Sequence, residues 1–258
     1  MHTCEQLKHD LSALGISAGD SVLMHSSYKS LGGLEGGAAA FFDTFLDLLT
    51  PEGNLILPAL SYATVTREQP VFDLRTTPSC IGYLPEYFRT SVPGVLRSLH
   101  PTHSCCAKGK DAEWITAGHE NDNTPVGQNS PFYKMQKLNG WILILGSHPD
   151  HNTTLHGVEE TAEPPYLLDH DHPIAYTLYD KDGNIVTQPA ALRHHFTREN
   201  IVYNQRYARI LNLLEGDEVH CGKVLDADCV LMYAPAVWGK GKAALEKDPY
   251  YFVEIAEK

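Results

Sequence analysis

The run Trp141-Ile142-Leu143-Ile144-Leu145, closed by Gly146, constrains this chain more than any other feature. A continuous apolar stretch of that kind suits an interior strand covered on both faces. The rest of the sequence supplies the cover. Leu7, Leu11 and Leu14 fall at helical spacing and Gly15 ends that helix. Residues 21–25 read as a short buried strand, and Gly36-Gly37 leads into a helix with Phe42, Phe45, Leu46 and Leu49 on one face. A strand is predicted at 54–57, an irregular stretch at 61–79 and a helix at 83–89. Short strands follow at 95–97 and 104–107. Ser130-Pro131 caps and opens a helix, and another is predicted at 154–162. Residues 174–179 and 184–187 flank Asp182-Gly183, a strong hairpin signal. A helix over 198–214, strands near Val219 and Val230, and a final helical segment complete the pattern. This alternation predicts an α/β layer fold. With 258 residues and no visible linker, a single domain over 1–258 is expected.

Charge excludes some functions. The chain holds 32 acidic and 20 basic residues, a formal net charge of -12, with no basic stripe that could neutralise nucleic-acid phosphates. It begins without a secretory signal and no apolar run reaches membrane-spanning length, so no membrane partner and a cytoplasmic location are expected. The six cysteines form no CxxC pair, which argues against structural zinc.

Four segments could carry chemistry. In Asn152-Thr153-Thr154-Leu155-His156-Gly157-Val158-Glu159, His156 and Glu159 lie three apart and share a helix face. A carboxylate beside an imidazole orients it and raises its basicity, which suits general-base work. His25-Ser26-Ser27, followed by Ser30 and Gly32-Gly33, forms a polar loop after a strand, and its amides could hold a phosphate or a pantetheine amide. Arg97 and Ser98 begin a third segment, in which Arg97 could pair with phosphate. Cys105 and Cys106, with His103 nearby, offer a nucleophile, although adjacent cysteines are more often small core residues. Each segment taken alone also fits an ordinary turn or surface pair.

Their order is more specific. VLMHSSYKSLGGLEGG, FDLRTTPSCIGYLPEYFR, GVLRSLHPTHSCCAKG, SPFYKM, WILILG and NTTLHGVEE follow one another over residues 22–160. The set resembles the aminoglycoside 3-N-acetyltransferases, also called the antibiotic N-acetyltransferases, strongly over the first two thirds of the chain and weakly over the last. The resemblance implies an α/β layered sandwich around a central mixed sheet. It implies transfer of an acetyl group from acetyl-CoA, as co-substrate and without a metal, to a primary amine of an aminocyclitol. It assigns His156 as general base in a ternary complex, with Glu159 as its carboxylate. It places His25, Ser26 and Ser27 on the CoA arm, with Ser30 in the same loop, and Arg97, Ser98, His100 and Pro101 near that arm. Expected partners are CoA and a small-molecule amine, and a homodimer is among the assemblies this allows.

One departure stands out. Where many relatives carry an acidic residue after the hairpin, this chain has Arg193-His194-His195-Phe196. His195, or alternatively His194, would then assist His156 or the acceptor without supplying a permanent negative charge. That bears on aminoglycoside specificity more than on acyl transfer. Glu159, Glu160, Glu163, Asp169 and Asp171 are candidates for an acidic acceptor wall. The rival readings are a transferase for another amine, a CoA- or aminosugar-binding relative without turnover, and a metal-dependent hydrolase. The last rests on 14 histidines, among them His148/His151, His170/His172 and His194/His195.

Overall fold

A computed structural model describes residues 1–257. The helices are α1 (Cys4–Ala13), α2 (Gly37–Leu49), α3 (Tyr83–Ser91), α4 (Ala112–Thr116), α5 (Pro131–Lys137), α6 (Thr154–Ala162) and α7 (Ala234–Lys247). The strands are β1 (Ser21–Ser26), β2 (Asn54–Pro58), β3 (Val71–Asp73), β4 (Leu96–Arg97), β5 (Cys105–Gly109), β6 (Trp141–Leu145) and β7 (Thr177–Tyr179). They continue with β8 (Ile185–Val186), β9 (Thr197–Arg198), β10 (Ile201–Gln205), β11 (Val219–Val224), β12 (Ala227–Tyr233) and β13 (Val253–Glu257).

The main sheet runs β11-β12-β6-β1-β2-β5-β4. Its centre, β6-β1-β2, is parallel, while β12 and β5 join antiparallel on either side. The central runs are apolar throughout because both faces are covered. Along β6, Leu143 and Leu145 pack with Leu7, Phe41, Phe45 and Phe88 on the side of α1 to α3. Ile142 and Ile144 pack with Phe132, Leu155, Val158 and Trp238 on the side of α5 to α7. A strand with period-2 side chains between two helical layers has no face left for polar residues. The α/β layered sandwich around a mixed sheet is therefore the observed architecture. Among the described residues, no helix is long and apolar enough to cross a membrane.

Local signals account for several elements. Thr3 caps α1 at the Gln6 amide, and Ser130 caps α5 at the Tyr133 amide with Pro131 in the first turn. β7 and β8 form the hairpin about Asp182-Gly183. The helix expected over 198–214 is absent. Residues 201–205 form β10, which pairs with β13 from Ile201↔Glu257 to Gln205↔Val253, and only a 3-10 turn at Tyr207–Asn212 remains helical. Ile201, Val202 and Tyr203 are strand formers, and pairing with a partner some fifty residues ahead makes this segment a strand. That partner, β13, has no counterpart in the sequence reading.

The β1–β6 register aligns Ser26 with Leu145, so both strands end side by side. Gly146 follows at φ 64, and a Cβ there would lie 2.5 Å from that of Ser30. Only glycine permits this crossing of the two strand exits. Ser30 Oγ donates to the Gly146 carbonyl and lies 2.9 Å from Ser27 Oγ, from which it can accept, fastening one exit loop to the other.

Candidate active site

The two exits floor a cavity of about 480 Å³. Its walls include His25 and Ser26 from β1, Ser147 and Thr153 from the β6–α6 connection, and His156 from α6. Thr102, His103, Arg193, His194 and Phe196 also line it. The mouth of parallel strands is a recurrent ligand position in α/β sheets.

His156 reaches this cavity because α6 lies close to α7. A Cβ on Gly157 would come within 2.5 Å of Trp238 and 2.6 Å of Val126, so glycine is what lets the helix approach. One turn away, Glu159 is fully buried. The carboxylate does not bond the imidazole directly: His156 Nδ1 and Glu159 Oε2 are 3.9 Å apart. Tyr207, from the 3-10 turn, fills the gap, its hydroxyl 2.6 Å from each. Tyr166 donates to the other carboxylate oxygen at 2.6 Å. Burial, and then the Glu159 charge, push the Tyr207 hydroxyl well above its ordinary pKa, so it keeps its proton. An ionised carboxylate only accepts, so that proton points to Glu159 and the Tyr207 oxygen accepts from His156 Nδ1–H. This fixes the tautomer and leaves the Nε2 lone pair for the cavity.

His194 lies against His156, ring centroids 4.4 Å apart, and its Nε2 is 2.7 Å from Glu160 Oε1. The Val126 amide donates to both oxygens of Glu160. Burial pushes the Glu160 carboxyl up to about 7 and His194 well below its usual value, so the pair's surroundings oppose charge on either member. His103 approaches from the loop before β5, held by Thr102 Oγ1 at 2.9 Å, and is likewise kept neutral by burial. Burial, with His151 and His156 nearby, lowers His25 to about 3. Ser26 Oγ, Ser147 Oγ and His25 Nε2 are buried without a hydrogen-bond partner among the described residues.

A scan against family models matches residues 23–246 to the family described as aminoglycoside 3-N-acetyltransferase. This chain belongs to that family. An SPbeta prophage-derived aminoglycoside N(3')-acetyltransferase-like protein, YokD of Bacillus subtilis, is 30% identical over 67% of this chain and 70% of its own length. Aminoglycoside N(3)-acetyltransferase III of Pseudomonas aeruginosa is 33% identical over 63% of this chain and 65% of its own. Among solved structures, a mutant of the aminoglycoside acetyltransferase AAC(3)-IVa in complex with a gentamicin superposes with a TM-score of 0.79. The identity is 28%, with 97% of this chain and 90% of that one covered. The binary complex of AAC-IIIb with CoASH gives a TM-score of 0.78 at 28% identity, with 95% and 97% covered.

The family resemblance named residues that the fold distributes unevenly. His156, His25 and Ser26 line the cavity; Ser27 and Ser30 lie behind it, in the lock to Gly146. Arg97 and Ser98 do not line it. The Arg97 guanidinium is buried, donating to Ser104 Oγ and to the carbonyls of Thr77 and Ala59. The Ser98 hydroxyl is buried between His119 Nδ1 and the Cys105 amide. The residue beside His156 is His194, not His195, because the backbone amide of His195 bonds Leu167 and turns its side chain away from the cavity. The acidic wall is not formed. Glu159 and Glu160 are bonded to neighbouring side chains and amides, Asp169 holds His172, and neither Glu163 nor Asp171 lines the cavity. Cys105 and Cys106 point into opposite core layers, and burial raises both thiols, Cys106 to about 12, which removes the thiolate a nucleophile needs. Sequence reasoning missed Tyr207 and Tyr166, and named Glu160 for an acceptor wall where it instead holds His194. No helical spacing marks either tyrosine: Tyr207 meets Glu159 from a distant segment, and Tyr166 folds back on it from the irregular chain just past α6.

Proposed function

We propose that this chain is an acetyl-CoA-dependent N-acetyltransferase for a primary amine, acting as one domain, with His156 as the general base. The observation that carries the reading is the Glu159–Tyr207–His156 relay at the wall of the strand-end cavity. Within the aminoglycoside 3-N-acetyltransferase family, one solved relative binds CoASH and another a gentamicin, which supports the two substrate classes.

The acceptor nitrogen attacks the thioester carbonyl carbon. The new C–N bond forms as a proton passes from nitrogen to His156 Nε2. The Tyr207 oxygen accepts from Nδ1–H and Tyr207 donates to Glu159, so the carboxylate offsets the imidazolium charge through the hydroxyl. The C–S bond then breaks and the proton returns to the thiolate of CoA. Ser26 Oγ and Ser147 Oγ, both unspent on protein partners, are the hydroxyls suited to the oxyanion.

A specific observation favours an acceptor other than a polycationic aminoglycoside. Asp150 is the cavity's one carboxylate among the described lining residues, and it accepts the Ala208 amide. Facing it are the Arg193 guanidinium and five imidazoles. Several ammonium groups would find little negative charge there, whereas a monoamine with a neutral or anionic body would meet Arg193. The test is thiol release from acetyl-CoA with a panel of aminoglycosides and of monoamines, wild type beside His156→Ala. Turnover lost in the variant by roughly 10²–10⁴ fold supports the assignment. Full turnover in His156→Ala refutes it, and the better-used half of the panel names the acceptor class.

A further inference from the structure

The cavity brings together three histidines that are far apart in sequence, of which only His194 belongs to a pair that the sequence suggested. His103, His156 and His194 each place one ring nitrogen within 4.8 Å of the other two. Ring centroids are 6.1 Å apart for His103 and His156, 5.6 Å for His103 and His194, and 4.4 Å for His156 and His194. We propose that these three side chains form a binding site for a borderline transition-metal dication, Zn²⁺ in the first instance.

The arrangement behind the rings carries the inference. A histidine that binds metal through one nitrogen usually has the other held by an oxygen, which fixes its tautomer and orientation. All three have this support. The Thr102 hydroxyl lies 2.9 Å from His103 Nδ1. The Tyr207 hydroxyl, backed by Glu159, holds His156 Nδ1, and the Glu160 carboxylate holds His194 Nε2. The nitrogens left over, Nε2 of His103, Nε2 of His156 and Nδ1 of His194, make no hydrogen bond among the described residues.

Geometry and charge fit the same ion. Tetrahedral Zn–N bonds of about 2.0–2.1 Å set the nitrogens roughly 3.4 Å apart, so each ring must move inward by less than ~1 Å. Three protein nitrogens leave the fourth position open to the cavity. Arg193 lines the same cavity and opposes a dication. Glu159, two hydrogen bonds behind His156 through Tyr207, supplies the opposite sign, and Glu160, one hydrogen bond behind His194, adds to it when ionised. A bound metal would also use the His156 lone pair that the base requires. This consequence rests on the acyl-transfer reading, and the site itself does not.

The experiment strips untagged protein with chelator and titrates it with Zn²⁺ by calorimetry, comparing wild type with His103→Ala and His194→Ala. His172→Ala, at an exposed histidine paired with Asp169, is the control. One equivalent is expected in wild type and control. Affinity should fall by more than about 100-fold in both cavity variants, beyond the ~10–100-fold carried by outer partners. Binding that is not stoichiometric in wild type, or is unchanged in both cavity variants, overturns the site. Should a variant fail to fold, Co²⁺ added to wild type decides: intense visible bands of a four-coordinate nitrogen site support it, and a weak six-coordinate spectrum overturns it. In wild type, thiol release should fall in step with Zn²⁺ occupancy and return with chelator. Turnover that persists at full occupancy refutes the silencing. Absence of turnover in metal-free protein counts against the acyl-transfer reading, and the titration still decides the site.

Discussion

Replacing Tyr207 by phenylalanine removes one oxygen and keeps the ring. That oxygen lies 2.6 Å from both His156 Nδ1 and Glu159 Oε2. Without it His156 Nδ1–H loses its acceptor, while the 3.9 Å gap to the carboxylate is too long for a hydrogen bond. Glu159 keeps Tyr166 as a donor, so the buried carboxylate is not abandoned. A hydrogen bond to a charged partner contributes about 1.5–3 kcal/mol, and each ~1.4 kcal/mol of transition-state stabilisation is tenfold in rate. Tyr207→Phe should therefore lower kcat by roughly 10–10² fold, less than the ~10²–10⁴ for loss of the base itself. The KM for acetyl-CoA should hold, because the hydroxyl faces the relay and not the cavity. The assay is thiol release with the best amine of the panel, normalised to folded protein by titration with CoA. A double-mutant cycle with Glu159→Gln adds a readout that a purely structural role would not give. If Tyr207 transmits the carboxylate's effect, the second change adds little to the first. Wild-type kcat in Tyr207→Phe, or full additivity with Glu159→Gln, refutes the relay.

Three further predictions concern stability and binding. Arg97→Met strands the Thr77 carbonyl and leaves that of Ala59 with the Ser104 hydroxyl alone, and should lower stability by about 1–3 kcal/mol, measured by urea unfolding. CoA affinity should stay unchanged in the folded fraction, and a large specific loss would restore Arg97 to the CoA arm. Gly157→Ala forces a methyl against Trp238 and Val126 and should destabilise by ~1–3 kcal/mol, seen as a lower Tm. An unchanged Tm would mean that α6 need not lie so close. Acid should unfold the protein through its buried imidazoles. Burial lowers His25 and His100 from 6.5 to about 3, so the unfolded chain binds more protons between those values. The stability they contribute is present above 6.5 and is lost as pH falls towards 3, on the order of several kcal/mol for each. Glu160, raised to about 7 from 4.5, acts the other way, stabilising as pH falls through that window. His103, His119 and His194 are displaced in the same direction as His25 and His100, and the histidines outnumber it. The urea midpoint should fall between about pH 7 and 4.5, and a level or rising midpoint refutes the balance.

The sequence by itself determined the layers and half of the relay. The all-apolar β6 run demanded cover on both faces, and the helical periods on either side supplied it. His156 and Glu159, three apart on one helix, announced a base and a carboxylate because the i, i+3 geometry is local. What joins them was not legible. Tyr207 enters from 51 residues beyond His156, on a turn within the segment expected to be a helix, and β13 holds the preceding strand by pairing at long range. Arg97 looked like a phosphate ligand because a guanidinium suits either a phosphate or a set of carbonyls, and only packing shows which one it meets. His194 and His195 are neighbours in the chain, yet the backbone bond from His195 to Leu167 leaves His194 alone beside His156. Local pattern fixes periodicity and caps. The partner of a buried polar group is set by which distant segments the sheet brings to the same strand ends, and this is a property of the tertiary structure alone.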